Sequence, residues 1–117
     1  MLDDRRRVTV KEGMARLPGP LGARFVRVFE HGSLVAEIYA PLGNDPQTPH
    51  TRDEVYVVVQ GTGFFLNGAK REPFGPGDFL FAAAGEVHRF EDFTDDLVVW
   101  ILFYGPEGGE IHAPRHA

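Results

Sequence analysis

The 117-residue chain contains no cysteine. This absence excludes disulfides, thiol catalysis and zinc–thiolate sites. Any metal ion must therefore be held by histidine, carboxylate or amide groups.

Long apolar runs and a surplus of basic residues are missing as well. No apolar stretch approaches the roughly 18 residues of a membrane span, and the N-terminal stretch lacks the apolar core of a secretory signal. We therefore expect a soluble protein located in the cytoplasm, with no membrane partner. Twelve Lys and Arg stand against 17 Asp and Glu, a formal net charge of −5. Because nucleic-acid surfaces carry a basic stripe, no nucleic-acid partner is expected either.

Glycine and proline punctuate the chain. The 14 glycines and 9 prolines fall between short apolar stretches, which is typical of many short β-strands joined by turns. No segment outside the first dozen residues has the 3.6-residue period of a helix, and a helix there would be short. The pattern predicts eight strands, over residues 24–30, 33–40, 54–60, 63–67, 70–74, 78–82, 87–92 and 97–104.

Two apolar segments, 55–59 and 97–104, predict strands that are apolar on both faces. Either both faces are buried within the domain or one of them meets a partner. Together the strands favour an all-β jelly roll or closed barrel in a single domain, with homodimer formation as a corollary. This interpretation divides the chain into an N-terminal arm (1–23), the barrel (24–104) and a C-terminal arm (105–117).

Three residues form a candidate metal site. His50 and Glu54 would lie about 13 Å apart on a straight strand, so the chain must bend at residues 51–53 if both hold one ion. A turn at residues 75–78 and a glycine at 85 then precede His88. Two imidazoles and one carboxylate would leave open positions for water or substrate. From spacing alone, however, each histidine could equally be a surface residue or a hydrogen-bonded core residue.

The segment around His50 and Glu54 resembles the first motif of the cupin superfamily, G(X)5HXH(X)3,4E(X)6G. His50 matches the second histidine, Glu54 the glutamate, Gly61 the last glycine and Gly43 approximately the first. The second motif, G(X)5PXG(X)2H(X)3N, is matched in register at positions 77, 85 and 88. The resemblance covers residues 25 to 104. It implies a small, single-domain, conserved-barrel cupin, a β jelly-roll barrel that is often dimeric and holds one divalent ion (Fe, Mn, Ni or Zn) in its mouth.

The sequence departs from these motifs at three positions. Thr48 stands where the first histidine belongs, and Ala83 and Asp92 replace the proline and asparagine of the second motif. The lost histidine removes one of the four usual ligands. Gln47 or Thr48 is a candidate for the fourth position; an amide oxygen from Gln47 suits a hard ion such as manganese more than copper. Alternatively, both side chains only cap the backbone before the corner.

Strand alternation assigns further candidates. Tyr56 shares a face with Glu54, and Phe90 shares one with His88, so both could line the cavity beneath the ion. Tyr56 is then a candidate catalytic residue that donates or accepts a proton, and Phe90 a candidate substrate contact. Core packing explains both residues equally well. Arg52 and Arg89 would either steer an anionic substrate or form ion pairs at the rim. Weaker metal-ligand candidates are the remaining histidines at positions 31, 112 and 116.

We expect a metal-dependent enzyme of the oxygenase, isomerase or lyase type that acts on a small molecule in the barrel mouth. The incomplete ligand set motivates this hypothesis, because it leaves room for substrate at the ion. A non-catalytic module that binds a small ligand and a structural cupin braced by its metal are the alternatives. The fold does not decide among the three, since one scaffold hosts many chemistries.

Overall fold

Eight antiparallel β-strands make up nearly all of the regular structure in the computed structural model, which describes residues 6–111. All eight predicted strands are present, each within one residue of its expected ends. The all-β prediction is therefore confirmed. The strands are β1 (Phe25–His31), β2 (Leu34–Tyr39), β3 (Asp53–Gln60), β4 (Gly63–Asn67), β5 (Lys70–Phe74), β6 (Phe79–Ala82), β7 (His88–Glu91) and β8 (Val98–Tyr104).

The strands form two sheets that enclose the main core. One sheet has five strands in the order β1-β2-β8-β3-β6, and the other has three in the order β5-β4-β7. Alternate residues of each strand point into the space between the sheets, where burial of apolar area stabilises the fold. The buried core residues come from both sheets and one connecting loop: Tyr39, Tyr56, Val58, Phe65, Phe74, Ala82, Phe90, Leu97, Val99 and Ile101.

One short helix, α1 (Val10–Met14), covers part of the outer face of the larger sheet. Its N-terminus is a capping box: the Thr9 hydroxyl accepts from the Glu12 amide, and the Glu12 carboxylate accepts from the Thr9 amide. Gly13 allows close approach, because a Cβ there would lie 2.6 Å from Cγ1 of Ile38. A second apolar cluster forms between helix and sheet. The predicted short helix is thus present, and it buries part of the apolar outer face.

The rest of that outer face is open. Phe79 and Phe81 of β6 keep 67% and 41% of their surface exposed. The strand register places them opposite Val57 and Val55 of β3, on the same face of the sheet. Such a patch fits the predicted homodimer, which stays a prediction. No helix within residues 6–111 is long and apolar enough to cross a membrane.

The segments flanking the barrel contact it. The amide of Glu110 donates to Oδ2 of the buried Asp53 at 2.8 Å, and the amide of Gly108 donates to the carbonyl of Thr51. Residues 105–110 therefore pack against the start of β3. The predicted division into two arms and a barrel stays a prediction.

Two glycines with positive φ provide a stability test. Gly61 has φ +94°, and a Cβ there would lie 2.7 Å from the Leu97 backbone, whereas Gly77 has φ +87° with open space around it. We expect Gly77→Ala to lower the free energy of unfolding by about 1–2 kcal/mol, the penalty of left-handed backbone. Gly61→Ala should lower the free energy of unfolding by a further ~1–3 kcal/mol, because its Cβ would overpack the contact with residue 97. Urea unfolding measures both; equal losses would contradict the close contact of Gly61 with residue 97.

Candidate metal centre

The three predicted ligands come from two separate parts of the chain. His50 lies in the loop before β3, residues 51 and 52 form a bend, and Glu54 is the second residue of β3. His88 is the first residue of β7. The predicted bend between His50 and Glu54 is therefore present.

A hydrogen bond joins the two motifs directly. The amide of Gly85 donates to the carbonyl of His50 at 2.7 Å. Gly85 has φ +81°, a left-handed conformation that glycine adopts without strain. The turn that delivers His88 is thus held against the loop that carries His50.

The ligand atoms converge on one carboxylate oxygen. Glu54 Oε1 lies 2.8 Å from His50 Nδ1 and 2.6 Å from His88 Nε2. Candidate ligand atoms of the three residues all lie within 4.8 Å of one another. Glu54 and His88 have side chains only 1% exposed, whereas that of His50 is 35% exposed. Two members of the group, Glu54 and His88, are therefore buried, and His50 is accessible to solvent.

The backbone selects the tautomer of His88. Its Nδ1 lies 2.9 Å from the carbonyl oxygen of Glu86, which can only accept a hydrogen bond. The neutral ring therefore carries its proton on Nδ1 and leaves a lone pair on Nε2. A backbone carbonyl behind the ring is the usual support of a metal-ligating histidine.

Two buried atoms in this group lack a hydrogen-bond partner among the described residues. They are Glu54 Oε2 and His88 Nε2. The second atom is close to Glu54 Oε1, but the contact lacks hydrogen-bond geometry. Buried polar atoms are rarely left unpaired in native proteins. An anionic oxygen and an imidazole lone pair are both satisfied by a divalent cation, so the residues present fit a metal ion.

The pKa values of the buried pair reflect their contact. Burial raises the pKa of Glu54, but its close contacts with His50 and His88 outweigh burial and leave that pKa below its ordinary value. Burial lowers the pKa of His88, yet its contact with Glu54 and its bond to Glu86 leave its pKa above the ordinary value. The site therefore attracts positive charge, either a proton or a metal ion.

A cavity of about 720 Å³ lies beside the exposed side of the group. Its volume is in the range of small-molecule sites. Its walls come from β1, β2, β8 and the loops around residues 41–52, and His50, Gln47 and Thr48 line it. His50 also packs edge-on against Phe103, with ring centroids 5.2 Å apart.

Glu37 is a buried carboxyl in this cavity that was not among the predicted site residues. It is 8% exposed, lines the cavity, and has Arg27 Nε 3.9 Å from its Oε2. Burial raises the pKa of Glu37, while Arg27 acts in the opposite direction. One signal in the sequence could have revealed this residue: Glu37 is the only charged residue in an otherwise apolar strand, and it shares the core-facing parity of Val35 and Tyr39.

Asp45 was also missed. This carboxylate is 8% exposed and accepts hydrogen bonds from the Tyr39 hydroxyl, the side-chain amide of Gln47 and the Phe90 backbone. Its sequence context, Asn-Asp-Pro, resembles an ordinary surface turn. Nothing local to that turn indicates burial.

The other predicted site residues lie around the group. Gln47 accepts from the Tyr56 hydroxyl at 2.8 Å through Oε1, and Thr48 is exposed at the cavity wall. Tyr56 and Phe90 are buried in the core, with ring centroids 5.0 Å apart, and neither is among the residues that line the cavity. A fourth ligand from Gln47 or Thr48, catalysis by Tyr56 and substrate contact by Phe90 all stay predictions.

The arginines beside the ligands have structural partners. Arg52 donates to the backbone carbonyls of Gly105 and Ser33. Arg89 forms an ion pair with Glu91. His31 is exposed at the end of β1, far from the group in sequence, and the histidines at 112 and 116 lie outside the described residues.

Comparison with known proteins agrees with this fold. The Cupin domain family matches residues 36–104, and the chain belongs to the cupin family. An uncharacterized protein of Streptomyces coelicolor, SCO3923, is 36% identical over 63 residues, which are 54% of this chain and 60% of that protein. The chain thus spans less than two thirds of this relative's length.

Solved structures with the same fold include three at low sequence identity. KdgF from a Halomonas species superposes with a TM-score of 0.60 at 23% identity, covering 68% of this chain and 76% of that one. TT1209 from Thermus thermophilus superposes with a TM-score of 0.60 at 22% identity, and the match covers 78% of this chain and 92% of that one. A cupin-2 domain protein from Shewanella frigidimarina superposes with a TM-score of 0.64 at 13% identity, and the match covers 84% of this chain and 94% of that one. At these identities the likeness shows the fold alone.

The pKa shifts predict how the chelated protein responds to pH. The pKa of His88 is raised from 6.5 by its contact with Glu54. This contact therefore stabilises the folded state fully below pH 6.5, and the stabilisation is lost as pH rises through the raised pKa. The lowered pKa of Glu54 has no effect in this range, since that carboxyl stays ionised. We expect urea unfolding in EDTA to show a lower free energy of unfolding at pH 8 than at pH 6. His88→Gln should reduce that difference; an unchanged difference would contradict the assignment.

Proposed function

We propose that this cupin binds one divalent metal ion through His50, Glu54 and His88 and acts as a metal-dependent enzyme on a small molecule. The observation that carries the metal site is the pair of buried, unpartnered atoms, Glu54 Oε2 and His88 Nε2, beside a third ligand at the cavity. An ion held there would supply Lewis-acid or redox chemistry.

Three protein ligands support catalysis more than a bracing role. Structural metal sites are closed by four protein ligands, whereas catalytic sites keep an open position. Within residues 6–111, the only group of three or more His, Asp and Glu side chains with ligating geometry contains three residues. His50 is its exposed member and lines the cavity, so a substrate that enters the cavity would approach the ion from this side.

The cavity also contains a group suited to proton transfer. Glu37 faces the cavity and has a pKa raised by burial, which moves a carboxyl toward the range useful for general acid–base catalysis at neutral pH. Burial, with the nearby charge of Glu54, instead raises the pKa of Tyr56 well above its ordinary value. Tyr56 therefore stays neutral and serves as a hydrogen-bonding group, while we assign proton transfer to Glu37.

Metal content of protein purified without a histidine tag tests the site. After incubation with Mn²⁺, Fe²⁺, Co²⁺ or Zn²⁺ and removal of excess, we expect about one ion per chain in the wild type. A His50→Ala, Glu54→Gln double variant and His88→Ala should each lose it, because removing ligands opens the site. His31→Ala, which removes an exposed histidine, is the matched control. Equal metal content in all variants, or none in the wild type, would overturn the proposal.

Turnover tests the catalytic part. We would assay the metal-loaded protein against diketones, catechols and sugar acids, with His88→Ala as the inactive reference. Once a substrate is found, Glu37→Gln should keep its metal and lose about 10²–10⁴-fold in kcat, the usual contribution of a general acid or base. Glu72→Gln, an exposed carboxyl on β5, should retain full activity. A compound that raises the melting temperature but remains unchanged would instead indicate a non-catalytic binding module.

A further inference from the structure

Asp45 is a buried carboxylate without a cationic partner. No described Lys, Arg or His side chain lies within ion-pair distance of it, and it is only 8% exposed. Four donors hold it instead: the Tyr39 hydroxyl at 2.5 Å, the Gln47 backbone amide at 3.3 Å, Gln47 Nε2 at 2.8 Å and the Phe90 amide at 2.8 Å. Burying a charge without a cation is costly unless hydrogen bonds compensate, and these four donors supply that compensation.

These donors come from the two segments that deliver the metal ligands. Gln47 precedes His50 by three residues in the loop, and Phe90 follows His88 by two residues in β7. The Tyr39 hydroxyl anchors the carboxylate to the larger sheet. Asp45 therefore ties the loop with the first histidine to the strand with the second.

Asp45 also determines which way the Gln47 amide points. An ionised carboxylate only accepts hydrogen bonds, so the amide nitrogen of Gln47 must face Asp45. The amide oxygen then faces the opposite side, where it accepts from the Tyr56 hydroxyl at 2.8 Å. Tyr56 in turn lies beside a proposed ligand, since its ring centroid is 6.0 Å from that of His88. A chain of hydrogen bonds therefore runs from Asp45 through Gln47 to Tyr56, next to the metal group.

We propose that Asp45 is a positioning residue that holds the oxygens of Gln47 and Tyr56 beside the metal group and thereby supports metal binding. This inference rests on the proposed metal site. Groups hydrogen-bonded to a ligand typically change metal affinity by about 10–100-fold. Asp45 acts one residue further out, so we expect an effect near the lower end of that range.

Binding of Co²⁺ to the full-length protein tests this role, since its visible absorption reports on coordination geometry. We expect Asp45→Asn to weaken Co²⁺ binding by about 10-fold, the lower end of the range for direct partners of ligands, and to alter the visible spectrum. The asparagine NH₂ group replaces one carboxylate oxygen, and each oxygen accepts from two donors, so at least one hydrogen bond is lost. Gln47→Ala should produce a similar loss while leaving the other donors to Asp45 in place.

Two control variants isolate the effect. Asp78→Asn makes the same chemical change in a turn, where Asp78 accepts from the Gly75 amide, and Gln60→Ala makes the same truncation as Gln47→Ala at an exposed glutamine that donates to the Asp96 carbonyl. Both should keep wild-type Co²⁺ affinity and spectrum. Melting of the metal-free proteins shows whether each variant is folded at the temperature of the titration.

The outcomes are distinguishable. If Asp45→Asn and Gln47→Ala are folded and bind Co²⁺ with wild-type affinity and spectrum, Asp45 only stabilises the fold and this proposal is wrong, while the metal site stands. If the wild type itself fails to bind Co²⁺, the proposed function fails and this proposal fails with it. Weakened binding in both variants with unaffected controls supports the positioning role.

Discussion

The structure of the site depends on one buried carboxylate. Glu54 lies inside a barrel whose interior is otherwise largely aromatic and aliphatic, and its side chain is 1% exposed. An ionised group in such surroundings needs compensating positive charge or several hydrogen bonds. Two histidines approach the same oxygen, and the second oxygen has no hydrogen-bond partner among the described residues. The negative charge of Glu54 is therefore only partly compensated by the surrounding residues, and a cation would complete the compensation.

Contacts between residues that are distant in sequence hold the two histidines beside Glu54. The Gly85 amide joins the turn before His88 to the His50 loop, and the Asp45 carboxylate joins the same loop to β7. Aromatic rings fill the space beneath: Tyr56, for example, packs edge-on against Phe65 and Phe90. Close packing of this kind keeps side chains in single rotamers. The ligands are thus preorganised before an ion binds.

The cavity exposes one side of the group formed by His50, Glu54 and His88. Only His50 reaches the cavity among the three ligands, so access to the group is from one side. Glu37 adds a second buried carboxyl to an otherwise mostly apolar wall of β2 and β8 residues. The proposed ion site and the Glu37 carboxyl open to one cavity, which is the arrangement that the proposed metal-assisted acid–base chemistry requires. The cupin fold alone would not distinguish this chemistry from simple ligand binding.

The sequence by itself determined the strands, their approximate ends and the identity of His50, Glu54 and His88. Period-two alternation and glycine turns are local signals, and the spacing of the two motifs carries the resemblance to cupins. Only the tertiary structure brought Asp45, Gln47 and Tyr56 into one hydrogen-bonded chain and placed Glu37 in the cavity. These relations join residues from different strands and loops, and their burial depends on how the sheets pack. Local sequence patterns carry no record of such long-range contacts, so the polar surroundings of the site could be recognised only in the folded chain.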